Sequence, residues 1–418
     1  MTPSGDAFTV FQLAALFVGL VAVVGVVNQR TLRLPPGVAM LLAGLIGALT
    51  IRLAATSLVG AGQVVRAVAQ VDFRATVLGY MLAFLLFAGA MHVDFGEMRR
   101  QRFTIFSLAT AGVLVSTLIV GFGVYAISQG LGLALPLPYA FVFAALISAT
   151  DPVAVLATVR RGGLSARLTA VLQGEALFND GVAIVVFTAA VALAAGSGAP
   201  DPLRALMAVG ASATGGLVIG LAGGWAARLG LKRLDDAAIE VAVTLACAMG
   251  VYGLANALDV SGAIAAVAAG LIVGDDSRSR RQTRGFWLLV DELLNALLFL
   301  ILGLQLLVLP FELRQAWLWA AAVPLVLAAR WLVVLPWGAY FRLREAERGA
   351  ALILTWGGLR GALSLALALS LPFGLQRDAV IGLTYAVVIF SVAVQGLTFR
   401  PLAMIWGARR LPQTDSAV

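Results

Sequence analysis

The stretch Ser148-Ala149-Thr150-Asp151-Pro152-Val153 lies inside a long apolar run and predicts the feature on which the fold depends. Proline removes a helical hydrogen bond and disfavours the α conformation for the residue before it. The helix is therefore predicted to break near Thr150–Asp151. At membrane depth, broken backbone is tolerated only where it is buried in protein or lines a cavity, and its freed carbonyl groups can form an ion site. A proline kink with a capping aspartate is the simpler interpretation of the same residues.

The composition places this run in a membrane. Of the 418 residues, 61% are hydrophobic and 12% are charged, and the mean hydropathy is +0.98, whereas soluble domains carry about 25% charged residues. A soluble enzyme, a nucleic-acid-binding module and a disordered protein are excluded, and an all-α polytopic membrane protein is predicted. About 20 apolar residues span a bilayer. On that basis the thirteen predicted transmembrane helices are 7–27, 36–52, 76–91, 103–128, 138–159, 168–196, 205–227, 239–257, 260–274, 286–309, 315–340, 349–373 and 379–399. The more polar segment 53–75 is predicted to form a surface helix.

The Lys and Arg residues cluster in the loops on one side of these spans. The positive-inside rule makes that side cytoplasmic, which predicts a multi-pass protein of the plasma (inner) membrane with its N-terminus outside and its C-terminus in the cytoplasm. The net charge of +8 is thus a signal of topology, and no nucleic-acid partner is predicted.

A few charged side chains remain within the spans. Asp291 and Glu292 lie inside the span 286–309, close enough to its cytoplasmic end to reach the interface. Those at greater depth are Asp151, Glu175, Asp180, Arg330 and Arg360. Because a charge at bilayer depth costs at least about 2.5–3.5 kcal/mol, such residues are candidates for a functional site.

The sixth span carries Gly174-Glu175-Ala176-Leu177-Phe178-Asn179-Asp180. At about 100° per residue, Asn179 lies nearly on the face of Glu175, whereas Asp180 points about 140° away from Glu175. The two carboxylates therefore address different neighbours, Asp180 a watery cavity and Glu175 a group within the protein. Since a buried charge needs a partner, Arg330 is predicted to pair with Glu175.

A second break is predicted in the twelfth span, at Thr355-Trp356-Gly357-Gly358-Leu359-Arg360-Gly361-Ala362, where three glycines surround Arg360. With thirteen helices, the first six and the last six form two units of opposite topology joined by the seventh, which is an inverted repeat. The two broken helices are then the fifth helix of each repeat. Interrupted helices in corresponding positions point to a transport site.

Taken in order, the three motifs resemble the signature helices of sodium/proton antiporters of the NhaP type, the electroneutral branch of the monovalent cation–proton antiporters. Leu85-Leu86-Phe87 and Leu302-Gly303-Leu304 also look like family segments, so the resemblance covers nearly the whole chain. It implies a secondary transporter and not an enzyme, exchanging Na⁺ (or Li⁺) for H⁺ one for one by elevator-type alternating access. No cofactor is implied beyond the transported Na⁺ and H⁺.

The resemblance also implies how the chain is organised. An interface domain would comprise residues 1–102 and 198–312 and form a homodimer within the membrane lipid. A six-helix core ion-transport domain, in which the two broken helices cross, takes 103–197 and 313–405. The segment 406–418 forms a short cytoplasmic tail.

The roles of the site residues are implied by the same resemblance. Asp180 would bind the cation and the proton in competition, with Na⁺ held at Asp180 and Thr150. Asn179 would hold the unwound segment, and Arg360 would compensate charge at the crossing. The residues implied for cation and proton binding are Asp180, Asp151, Thr150 and Asn179. The residues implied for ion pairing and charge compensation are Glu175, Arg330 and Arg360.

Two positions depart from the family pattern. Ala176 stands where family members often have serine, and Ala88 stands where many have glutamate. Water or backbone would then complete the ion shell, and a K⁺/H⁺ antiporter on the same scaffold stays open as an alternative function.

Two other classes of protein fit the sequence less well. A cation channel is less suited to a titratable site between broken helices. An intramembrane aspartyl protease would need Asp151 and Asp180 to converge within about 3 Å, and the sequence before Asp180 lacks the Gly-x-Gly-Asp-like loop of such enzymes.

Overall fold

The computed structural model of the chain describes residues 10–53, 81–151, 164–196, 202–232, 234, 236–274, 281–305, 315–344, 347, 349–372 and 376–407. All regular secondary structure within these ranges is helical. The helices are α1 (Val10–Arg30), α2 (Pro36–Leu53), α3 (Leu82–Met91), α4 (Phe95–Arg100), α5 (Arg102–Gly130), α6 (Leu137–Ser148), α7 (Ala166–Ala194), α8 (Pro202–Leu231), α9 (Ala237–Ala257), α10 (Gly262–Gly274), α11 (Arg281–Leu304), α12 (Ala316–Arg344), α13 (Ala350–Trp356), α14 (Ala362–Leu369) and α15 (Arg377–Trp406).

Helices are found at every one of the predicted spans. In the described ranges, eight helices are long and apolar enough to cross a membrane, namely α1, α2, α5, α7, α9, α11, α12 and α15. The apolar helices α3, α6 and α10 are shorter. The prediction of an all-α membrane protein is confirmed, whereas the number of crossings and the inverted repeat stay predictions.

Three predictions fall mainly outside the described ranges. They concern the surface helix at 53–75, the second half of the span 138–159, and the tail at 406–418. The short helix α4 was not predicted, because its charged residues lie in what the hydropathy pattern indicates is a loop. Asp94 caps α4 by accepting a hydrogen bond from the backbone N–H of Glu97 at 3.0 Å.

The chain divides into two compact units. Unit 1 comprises Met1–His92, Asp201–Arg314 and Ala362–Gly382, and unit 2 comprises Val93–Pro200, Gln315–Gly361 and Leu383–Val418. The interface and transport roles implied for the chain segments stay predictions.

Unit 1 contains a close helix contact made possible by glycine. A Cβ atom at Gly44 of α2 would overlap the carbonyl oxygen of Leu300 in α11, and one at Gly303 would overlap the carbonyl oxygen of Leu41. Small residues let helix backbones approach closely in lipid, where van der Waals packing replaces the hydrophobic driving force. The two glycines therefore fix α2 against α11.

Unit 2 holds every predicted site residue. Its helices α5 and α7 both pack against α6, and α12 packs against α5 and α13. Two π-helical segments interrupt long helices of this unit, Leu108–Gly112 in α5 and Ser391–Gln395 in α15. Neither segment was predicted from the sequence.

Candidate functional site

The first predicted helix break is present. Helix α6 ends at Ser148, and Ala149 already has the extended conformation, with φ −63° and ψ 140°. The chain stays non-helical through Asp151, as expected for the residue before a proline. The last turn of α6 thus leaves carbonyl groups without helical partners.

The second predicted break is also present. Helix α13 ends at Trp356 and α14 begins at Ala362. Between them the backbone N–H of Asp151 donates to the carbonyl oxygen of Leu359 at 2.8 Å, forming an isolated antiparallel bridge. A Cβ atom at Gly361 would overlap the Asp151 carboxylate. The two interrupted segments therefore meet backbone to backbone, at a place where only glycine fits.

Helix α7 brings an amide and a carboxylate to the first break. The Nδ2 atom of Asn179 donates to Oγ1 of Thr150 at 2.6 Å. Asn179 is fully buried, and its Oδ1 atom has no hydrogen-bond partner in the described part of the chain. This contact ties the non-helical segment to α7 and leaves a buried amide oxygen beside it.

The neighbouring carboxylate of Asp180 is half-buried and lies within electrostatic range of Asp151, so that the two negative charges repel. Among the described residues, the carboxylate of Asp180 makes no hydrogen bond or ion pair. Two nearby carboxylates that repel each other favour the uptake of a positive charge.

Glu175 and Arg330 form a buried ion pair. Nη1 of Arg330 contacts Oε1 of Glu175, and Nη2 donates to Oε2 at 2.8 Å. The side chains are 2% and 5% exposed for Glu175 and Arg330. The guanidinium also donates from Nε (3.2 Å) and Nη2 (3.0 Å) to the carbonyl oxygen of Leu354 in α13. Such a bidentate pair fixes geometry as well as charge, and here it joins α7, α12 and α13.

The side chain of Arg360 lies at the end of α6. Its Nη1 atom donates to the carbonyl oxygens of Ser148 at 2.7 Å and Ala149 at 2.9 Å. The C-terminal end of a helix carries partial negative charge, which a cation stabilises. Arg360 is thus buried against backbone acceptors that the broken helix provides.

Ser391 and Gln395 are two residues that contact this site and were not predicted from the sequence. Ser391 accepts a hydrogen bond from the backbone N–H of Arg360 at 2.7 Å, and Gln395 donates to the carbonyl oxygen of Trp356 at 3.3 Å. The available signal was a pair of polar residues four positions apart in a largely apolar span.

The structure therefore brings Thr150 to Asn179, Glu175 to Arg330, and Arg360 to the end of α6. Ala176 is buried in α7 of unit 2, whereas Ala88 belongs to unit 1. Within the described ranges, no group of three or more His, Cys, Asp or Glu side chains is placed to hold a metal ion.

The sequence of the chain is similar to those of known proteins. A family model described as sodium/hydrogen exchanger, transmembrane, matches residues 17–405. The chain is 38% identical to the Na⁺/H⁺ antiporter NhaP of Pseudomonas aeruginosa over 427 residues, covering 97% of this chain and 99% of that protein. It is 34% identical to the Na⁺/H⁺ antiporter NhaH of Halobacillus dabanensis, with 94% and 96% covered.

A solved structure shares the fold. The sodium proton antiporter MjNhaP1 of Methanocaldococcus jannaschii matches with a TM-score of 0.72, covering 94% of this chain and 98% of that one at 19% sequence identity.

Proposed function

The chain belongs to the sodium/hydrogen exchanger family, and we therefore propose that it exchanges Na⁺ for H⁺ across the membrane, with Asp180 binding the two ions in competition. The resemblance of the chain to this family is confirmed by the comparisons. The observation that supports the proposed site most directly is the half-buried Asp180 beside the break, with no hydrogen-bond or ion-pair partner among the described residues.

Oxygen atoms at the break are suitable ligands for Na⁺. The carboxylate of Asp180 supplies a negative charge, and Thr150 and Asp151 lie on the neighbouring extended segment. The buried Oδ1 atom of Asn179 is a further acceptor near Thr150. Hard cations prefer carboxylate, carbonyl and water oxygens. Na⁺ therefore binds at Asp180 and Thr150, and water or backbone completes its shell where Ala176 offers no hydroxyl group.

Charge balance favours one-for-one exchange. Asp151, Glu175 and Asp180 carry three negative charges, and Arg330 and Arg360 carry two positive charges. Either one proton or one Na⁺ then makes this set of five side chains neutral. Since moving an uncompensated charge through the membrane is costly, the transport domain moves only when Asp180 holds one of the two ions, and the two fluxes are coupled.

The transport cycle follows from the requirement that Asp180 hold either a proton or Na⁺ when the transport domain moves. The core segments 103–197 and 313–405 carry the site from one side of the membrane to the other by elevator-type alternating access. The segments 1–102 and 198–312 form the interface of a homodimer. In the plasma (inner) membrane, with the N-terminus outside and the C-terminus in the cytoplasm, an inward proton gradient drives Na⁺ out and supports pH homeostasis.

Exchange in proteoliposomes tests the proposal. An imposed proton gradient should collapse on addition of Na⁺ or Li⁺, as measured by dequenching of a pH-sensitive dye. Asp180→Asn should abolish this response, because the amide cannot take up either a proton or the charge of a cation. Asp378→Asn, the same chemical change at an exposed carboxylate, should leave the response intact.

The outcomes separate the rival functions. Exchange retained in Asp180→Asn contradicts the assignment of the site. A response to K⁺ alone identifies a K⁺/H⁺ antiporter on the same scaffold. Cation flux without proton movement indicates a channel.

A further inference from the structure

The π-helical segment Ser391–Gln395 of α15 adjoins the second helix break. Ser391 is fully buried and Gln395 is 2% exposed. Single-turn π segments insert one extra residue into a helix and often occur at functional sites. Here the segment places two polar side chains where the backbone of the break needs partners.

The two side chains bond the backbone on opposite sides of the break. Helix ends leave their last carbonyl groups and first N–H groups without helical partners. Gln395 donates to the carbonyl oxygen of Trp356, the last residue of α13. Ser391 accepts from the backbone N–H of Arg360, just before α14 begins.

A third contact extends the same surface of α15. The indole Nε1 atom of Trp356 donates to Oγ1 of Thr398 at 2.9 Å. The residues at which α13 stops are therefore held by α15 through both main chain and side chain.

The bonded segment leads directly to the proposed ion site. The side chain of Arg360 contacts the last carbonyl groups of α6, and the carbonyl oxygen of Leu359 accepts the backbone N–H of Asp151. A shift of the segment 357–361 would therefore move Asp151 and the end of α6. Ser391 is thus linked to the first break through Arg360, whose backbone N–H bonds Ser391 and whose side chain bonds the end of α6.

We propose that Ser391 and Gln395 are positioning residues that hold the interrupted helix in the geometry that binds the cation, and so set the affinity for Na⁺. The inference rests on the proposed function. Neither side chain needs to touch the ion. Without their hydrogen bonds, the segment 357–361 samples other positions. The apparent dissociation constant for Na⁺ then rises, because a smaller fraction of the protein has the geometry that binds the cation.

The test compares Ser391→Ala with a matched control, Ser128→Ala. Ser128 is also fully buried in unit 2, but among the described residues its hydroxyl bonds only the carbonyl oxygen of Tyr125 in its own helix. Loss of one hydrogen bond should raise the apparent KM for Na⁺ about threefold to tenfold and leave the maximal rate unchanged. Gln395→Met, which keeps the length of the side chain but not its amide, should do the same, and Ser128→Ala should leave KM unchanged.

A second readout needs no transport. Na⁺ that binds the folded protein raises its melting temperature, and the concentration dependence of that rise gives the affinity. Ser391→Ala should shift this dependence to higher Na⁺ by the same factor. Ser391→Cys, which keeps the volume and a weak acceptor, should give an intermediate shift and replaces Ser391→Ala if that variant does not fold.

The outcomes are distinct. A variant with a lower melting temperature but the wild-type dependence on Na⁺ shows a purely structural role and overturns the inference. A wild-type protein that binds Na⁺ but does not exchange it contradicts the proposed function alone. Wild-type protein that shows neither exchange nor Na⁺-dependent stabilisation contradicts both.

Discussion

The ion pair of Glu175 and Arg330 shows what a charge needs when it is removed from water. Each partner is nearly inaccessible, and the guanidinium also bonds the carbonyl oxygen of Leu354. A buried pair is a modest source of stability in itself, but the loss of one partner leaves an uncompensated charge. The pair is therefore a constraint on which substitutions the core of unit 2 tolerates.

Glu175→Gln should consequently destabilise the protein by about 3–5 kcal/mol, seen as a lower melting temperature of the purified protein. Glu292→Gln, at an exposed position of α11, serves as the control. The combined change Glu175→Leu and Arg330→Met removes both charges and should recover most of the loss. A single variant that melts like the wild type would show that the buried guanidinium has another source of compensation.

At the scale of the element, the break between α13 and α14 depends on a residue without a side chain. The Asp151 carboxylate occupies the space that a Cβ atom at Gly361 would take. Any larger residue must push Asp151 or the segment 357–361 aside. The glycine thus allows the two non-helical segments to approach.

Gly361→Ala should therefore abolish exchange and lower the melting temperature, because the methyl group separates the two segments. Gly250→Ala in α9 is the comparison, since a Cβ atom there meets nothing within 4 Å. That helical substitution should be neutral or stabilise by about 0.5–1 kcal/mol. Normal exchange by Gly361→Ala would mean that the segments need not touch for transport.

The breaks and the ion pair could be predicted because their causes are local or rare. Proline at 152 disfavours the helix wherever it stands, and buried charges are so few that Glu175 and Arg330 have little choice of partner. The π segment at Ser391–Gln395 could not be predicted in this way. One extra residue in a helix turn hardly alters an apolar pattern, and the acceptors at Trp356 and Leu354 are backbone atoms that every residue has.

At the scale of the whole molecule, the membrane potential distinguishes one-for-one exchange from other stoichiometries. A membrane potential of 100 mV changes the free energy of moving one net charge across the membrane by about 2.3 kcal/mol. An exchanger that moves two protons for each Na⁺ would respond strongly. One that exchanges a single proton for a single Na⁺ moves no net charge.

The Na⁺ gradient that balances a given proton gradient in proteoliposomes should therefore not change with an imposed potential. The potential can be set with K⁺ and valinomycin once K⁺ has been shown not to be a substrate, and the flux reversal point is then measured at several values. Liposomes in which valinomycin is omitted provide the control. A reversal point that moves with potential would contradict the charge balance of these five charged side chains.

The bridge between Asp151 and Leu359 is made only of main-chain atoms. Replacing either side chain therefore leaves the junction in place, as long as position 361 stays small. Over evolutionary time, the side chain at position 151 can therefore change while the main-chain scaffold that presents it stays in place. Side-chain chemistry and main-chain architecture are thus separately heritable at this point of the chain.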